Sequence, residues 1–67
     1  MIRLTRLNGS NYVLNCELIE TVEATPDTVV STVEGKKYVC TESVDEVIKR
    51  VIEFKGKILL YSRTHEG

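Results

Sequence analysis

Thr41-Glu42-Ser43-Val44-Asp45-Glu46-Val47-Ile48-Lys49-Arg50-Val51-Ile52 is the stretch on which the fold turns. Ser43 with Glu46 three residues on forms the S-x-x-E capping box, in which each residue satisfies a free backbone donor of the first turn. Asp45 and Glu46 place negative charge where the helix dipole favours it. Val44, Val47, Ile48, Val51, Ile52 and Phe54 recur at helical spacing and fill one face. Asp45, Glu46, Lys49, Arg50 and Glu53 fill the other. Asp45–Lys49 and Glu46–Arg50 are i,i+4 pairs in the favoured order, each worth about 0.3 kcal/mol, and they form a solvated face. The segment is an amphipathic helix starting at Val44.

Its end has two readings. Gly56 can cap the helix at its C-terminus, with Ile58 to Tyr61 as a last strand. Alternatively the helix continues to about Leu60, since Gly56 and Lys57 then fall on the polar face and Ile58 and Leu59 on the apolar one. An exposed helical glycine costs only about 1 kcal/mol, and continuation is preferred. Residues 1–61 then form one β-plus-helix domain, and residues 62–67 a frayed tail.

Upstream of the helix the chain alternates as strands do. Ile2 to Leu7 and Tyr12 to Leu14 flank Asn8-Gly9, a strong hairpin signal because both residues tolerate positive φ. Asn15 to Leu18 is either one helical turn capped by Asn15 or a bend. Ile19 to Thr25 is read as a strand, ended by the turn chemistry of Thr25-Pro26-Asp27-Thr28. Thr28 to Val33 is rich in β-branched residues, Glu34-Gly35 turns the chain, and Lys36 to Cys40 is a fifth strand. The expected architecture is α+β: a small antiparallel sheet of about five strands, in two hairpins, followed by one C-terminal amphipathic helix. Asn8 to Val13 echoes Glu34 to Val39 at an offset of 26 residues. A duplicated hairpin explains the echo, and so does turn chemistry shared by two unrelated hairpins. Tyr12 and Tyr38 stand in equivalent strand-packing positions.

The totals set limits. Sixty-seven residues make one domain, and a chain this short buries only about 60% of its unfolded surface. Good packing or self-association is therefore needed. A formal charge of −1 argues against nucleic acid. Cys16 and Cys40 read as buried apolar side chains in a reducing compartment. No apolar run approaches the ~20 residues that span a bilayer, and no secretory leader is visible, so a cytoplasmic protein without membrane insertion is expected.

Chemistry is sparse. His65 is the only histidine and falls in the tail, away from any nucleophile. Cys16, Cys40 and His65 lack zinc-ligand spacing. Neither phosphate-loop nor dinucleotide-binding glycine motif occurs. No catalytic residue, metal site, cofactor or small-molecule substrate is expected. Glu17, Glu20 and Glu23 form an acidic cluster that reads as a solvated strand face. Arg3, Arg6, Lys36 and Lys37 form a weak basic patch.

The apolar stripe of the helix, extended by Ile58, Leu59 and Leu60, exceeds what one small sheet readily covers, and such a surplus marks an interface. The contact residues assigned are Phe54, Ile58, Leu59 and Tyr61, facing either a homo-oligomer or another protein.

Ile2 to Gly9, Glu17 to Glu20, Val22 to Thr28, and Gly35 to Val39 with Glu42 to Ile48 together resemble the small bacterial flagellar protein family FlbD, also called the swarming motility protein family SwrD. The resemblance covers residues 1 to about 58. It implies a non-enzymatic accessory protein that supports swarming by raising the power of the flagellar motor. The partner it implies is a stator or other motor protein, at the cytoplasmic side of the basal body. It supplies no site residues. The alternative is a small nucleic-acid-binding regulator of flagellar gene expression, with Arg3, Arg6, Lys36 and Lys37 on phosphates.

Overall fold

A computed structural model of the chain describes the backbone of residues 1–66 and the side chains of residues 1–57. Five strands precede one helix: β1 (Ile2–Thr5), β2 (Asn11–Leu14), β3 (Ile19–Ala24), β4 (Thr28–Thr32), β5 (Lys37–Cys40) and α1 (Val44–Glu66). A single 3-10 turn, Cys16–Leu18, joins β2 to β3, and the Asn15 side chain caps it by accepting from the Glu17 amide. Of the two readings of this segment, the capped turn is the one realised.

The strands are antiparallel throughout, but they form two sheets rather than one. β1 pairs with β2, and β3-β4-β5 form a three-stranded meander. The sheets are tied together by single bonds: the Thr41 amide donates to the Thr5 carbonyl at 2.9 Å, and the Tyr12 hydroxyl donates to the Val39 carbonyl at 3.1 Å.

Both glycine turns are built alike, and differently from the two-residue turn that Asn-Gly suggests. The Arg6 amide donates to Ser10 O and the Gly9 amide to Arg6 O; the Thr32 amide donates to Lys36 O and the Gly35 amide to Thr32 O. Each is a three-residue loop with glycine at its last position, where φ is +92° at Gly9 and +84° at Gly35. Asn8 does not need positive φ. Its Oδ1 instead accepts from the Ser10 amide and hydroxyl at 2.9 and 2.8 Å, closing the loop from its side chain.

The 26-residue echo extends to the hydrogen-bond register. Ile2 faces Leu14 and Leu4 faces Tyr12, while Thr28 faces Cys40 and Val30 faces Tyr38. Every member of the second set is its counterpart in the first plus 26. The rings of Tyr12 and Tyr38 stack against each other, with centroids 6.0 Å apart and planes 25° apart.

The core is made by the inward residues of both hairpins and one helix residue: Ile2, Leu4, Leu14, Cys16, Val30, Cys40 and Val47. Tyr12, Ile19, Val22, Tyr38, Val51 and Phe54 pack around it half-buried. Cys16 and Cys40 are free thiols in the interior, as small apolar fillers. Helix α1 lies against β1 and β3. Ser43 caps it, with Oγ accepting from the Glu46 amide at 3.1 Å. It continues through Gly56 without a break, so the final-strand reading of 58–61 is not realised. No helix among the described residues is long and apolar enough to cross a membrane.

Candidate functional site

Three features stand out once the hairpins and helix are in place. The first is a polar clamp. The Thr41–Thr5 bond brings Glu42, in the link between β5 and α1, beside the end of β1. Its Oε1 accepts from the Thr5 amide at 2.9 Å, and its Oε2 accepts from the Thr5 hydroxyl at 2.7 Å and from Arg50 Nη1 at 3.1 Å. Arg50 Nη1 also donates to the Arg3 carbonyl at 2.6 Å, and its Nε to Glu46 Oε1 at 3.1 Å. Burial pushes the Glu42 carboxyl upward, but the Thr5 donors, its own amide and the Arg50 charge outweigh it and hold the group below the usual carboxylate range. The clamp binds β1, the β5–α1 link and the first turns of α1 into one unit.

This corrects the view of Arg50 as part of a purely solvated face. The Glu46–Arg50 pair forms as the spacing predicts, yet the same guanidinium turns inward to Glu42 and the Arg3 backbone. Sequence reasoning missed Glu42. Thirty-seven residues separate it from Thr5, and no local pattern connects them. Asp45–Lys49 is not among the ion pairs of the described residues.

The second feature is a groove of about 430 Å³ between the hairpins, lined by Arg6, Leu7, Asn8, Tyr12, Lys37, Tyr38 and Val39. The Arg6 guanidinium sits over the Tyr12 ring, 4.7 Å from its centroid, a cation–π contact worth about 0.5–1 kcal/mol at an exposed site. Burial, then the neighbouring Cys40 and Glu42, raises the Tyr12 phenol above its ordinary value, with Arg6 pulling the other way. Tyr12 therefore keeps its proton and stays a donor to Val39. Of the basic residues Arg3, Arg6, Lys36 and Lys37, the structure brings Arg6 and Lys37 together at this groove. Arg3 instead offers its carbonyl to Arg50, and Lys36 closes the second turn by its backbone. Glu17, Glu20 and Glu23 are all exposed.

The third feature is apolar surface left open. On α1, Ile48 and Ile52 are 45% and 65% exposed. On the hairpins, Leu7, Val13, Val33 and Val39 are exposed too, as two pairs related by the 26-residue offset. Phe54, one of the assigned contact residues, is half-buried against the core. The side chains of Ile58, Leu59 and Tyr61, the other three, lie outside the described residues.

Among the described residues no group of three or more His, Cys, Asp or Glu side chains is placed to hold a metal ion. No curated protein and no solved structure matches the chain. The FlbD family, flagellar and swarming motility proteins, matches over residues 1–59 of the 67, which takes in both hairpins, the clamp, the groove and the first four turns of α1. With nearly its whole length matched, the chain belongs to the FlbD family of flagellar and swarming motility proteins.

Proposed function

We propose that this motility protein is a non-enzymatic accessory of the flagellar motor, which supports swarming by raising motor power through a protein–protein contact with the stator or another motor component. The observation that carries this reading is the open apolar surface of α1, where Ile48 and Ile52 stay largely in water. The contact falls at the far end of that helix, on Phe54, Ile58, Leu59 and Tyr61, and the protein works at the cytoplasmic face of the basal body. The test is the double variant Ile58→Asp, Leu59→Asp in a swarming cell. It should keep the far-UV circular dichroism of its hairpins and lose swarming and motor-component capture. A double variant that swarms as well as the parent removes the basis of the reading.

One observation favours a second reading. Arg6 and Lys37 share the groove with the stacked Tyr12 and Tyr38, and basic side chains interleaved with aromatic ones suit a nucleic-acid strand. Two groove cations on a chain of net charge −1 make it the weaker reading. Retention on single-stranded oligonucleotide that weakens as salt rises, and that is lost in Arg6→Ala, would favour it. Elution in the void volume at low salt would dismiss it.

A further inference from the structure

The exposed face of α1 has a pattern beyond its apolarity. At 100° per residue, Ile48, Ile52 and Gly56 fall within roughly 80° of one another, turned away from the Val47, Val51 and Phe54 side that meets the core. A Cβ added at Gly56 would meet nothing within 4 Å, so no close packing inside the chain calls for glycine there. In an exposed helix interior it costs about 1 kcal/mol against alanine. Beside this stripe run Asp45, Lys49, Glu53 and Lys57, all exposed and none in an ion pair among the described residues. Their signs alternate along one flank.

We propose that this face binds the same face of a second copy, with the two helices antiparallel and the two-fold axis level with Val51. Antiparallel pairing about a two-fold sets each flank against itself. At this register Lys49 comes level with Glu53 of the second copy, and Glu53 with its Lys49, so two opposite-sign pairs form across the dimer. Ile52 of one chain then inserts between Ile48 and Ile52 of the other. The bulky Ile48 meets the bare surface at Gly56, a knob facing a hole. A parallel two-fold would instead turn this flank toward the opposite side of the second helix, where Val51 and Phe54 meet the core, and leave its charges unpaired. The charge pattern is what selects a second copy over an unrelated partner: the flank is complementary to its own reverse.

The paired stretch, residues 48 to 56, is only about 12 Å long. It is smaller than a standard stable interface, so the dimer is a weak one. Of the residues assigned above to the motor contact, Phe54 lies within this stretch, while Ile58, Leu59 and Tyr61 follow it in sequence.

Light scattering coupled to size-exclusion chromatography, run on the full chain across concentrations up to ~1 mM, tests the dimer. The parent should pass from monomer to dimer. Ile52→Asp should raise the dissociation constant about tenfold or more, with unchanged circular dichroism because the residue is mostly in water. Lys49→Glu should weaken pairing, and Lys49→Glu with Glu53→Lys should restore it. Gly56→Leu should raise the melting temperature of the dilute monomer yet weaken the dimer, opposite signs that a purely structural glycine would not produce. A parent that is monomeric throughout overturns the proposal. So does a dimer indifferent to Ile52→Asp, or one that the charge swap fails to restore. Swarming scored separately on Ile58→Asp, Leu59→Asp keeps a failure of the dimer distinct from a failure of the motor contact.

Discussion

Glu42 shows how much one side chain can hold. Its side chain is nearly sealed from solvent and accepts three hydrogen bonds, two from Thr5, 37 residues away, and one from Arg50 in the helix that follows. Charge-assisted bonds of this kind are worth more than neutral ones. Glu42→Gln should therefore cost about 1–3 kcal/mol in urea unfolding at neutral pH, a large share of the ~3–10 kcal/mol that a chain of this length commands. The pH dependence follows from the direction of its shift. The folded value lies below the unfolded one, so the contribution is complete above the ordinary carboxylate pKa of about 4.3. It is lost as pH falls through the depressed folded value. Parent stability should drop over that acid range, and the drop should be shallower in Glu42→Gln. Equal slopes in the two proteins would show that the clamp is not what acid breaks.

Elements were legible in the sequence to very different degrees. The capping box of Ser43 and the apolar spacing that follows predict α1 from its first residue, because both signals are local. The five strands were legible for the same reason, from β-branched runs between turn residues. The division into two sheets was not. It depends on which edges meet, and that is decided by long-range bonds such as Thr41 to Thr5. The groove was half visible: the echo marks Tyr12 and Tyr38 as equivalent, but only folding stacks them and brings Arg6 and Lys37 alongside. The turns allow a direct check. Gly9 and Gly35 hold the same left-handed conformation in the same kind of loop, each with open space around it. Gly9→Ala and Gly35→Ala should each cost about 1–2 kcal/mol, and the two losses should agree within about 0.5 kcal/mol. A large difference in urea midpoints, with slopes unchanged, would mean that the two hairpins are not energetically alike.

At the scale of the molecule, both cysteines report on the integrity of one shared core. Cys16 comes from the end of the first hairpin and Cys40 from the end of the second, and both are sealed from solvent. Burial, then the Glu42 charge, raises the Cys40 thiol above its ordinary value, which lowers its reactive thiolate fraction further. Neither should react with an aromatic disulfide reagent in the native protein at neutral pH. Both should become reactive together in urea, at the midpoint given by circular dichroism, if the hairpins unfold as one unit. Labelling of Cys16 at lower urea than Cys40 would show the first hairpin opening by itself.

The matched registers of the two hairpins also make their tips interchangeable parts. Leu7 to Tyr12 and Val33 to Tyr38 occupy loops of one geometry, between strands of one spacing. Grafting either hexapeptide onto the other site therefore asks the backbone for no new conformation. Whatever recognition resides in Leu7 and Asn8 on one tip could be transplanted, doubled or erased without disturbing the scaffold. The protein offers two sockets of the same pattern, each able to diversify while the other keeps its original duty.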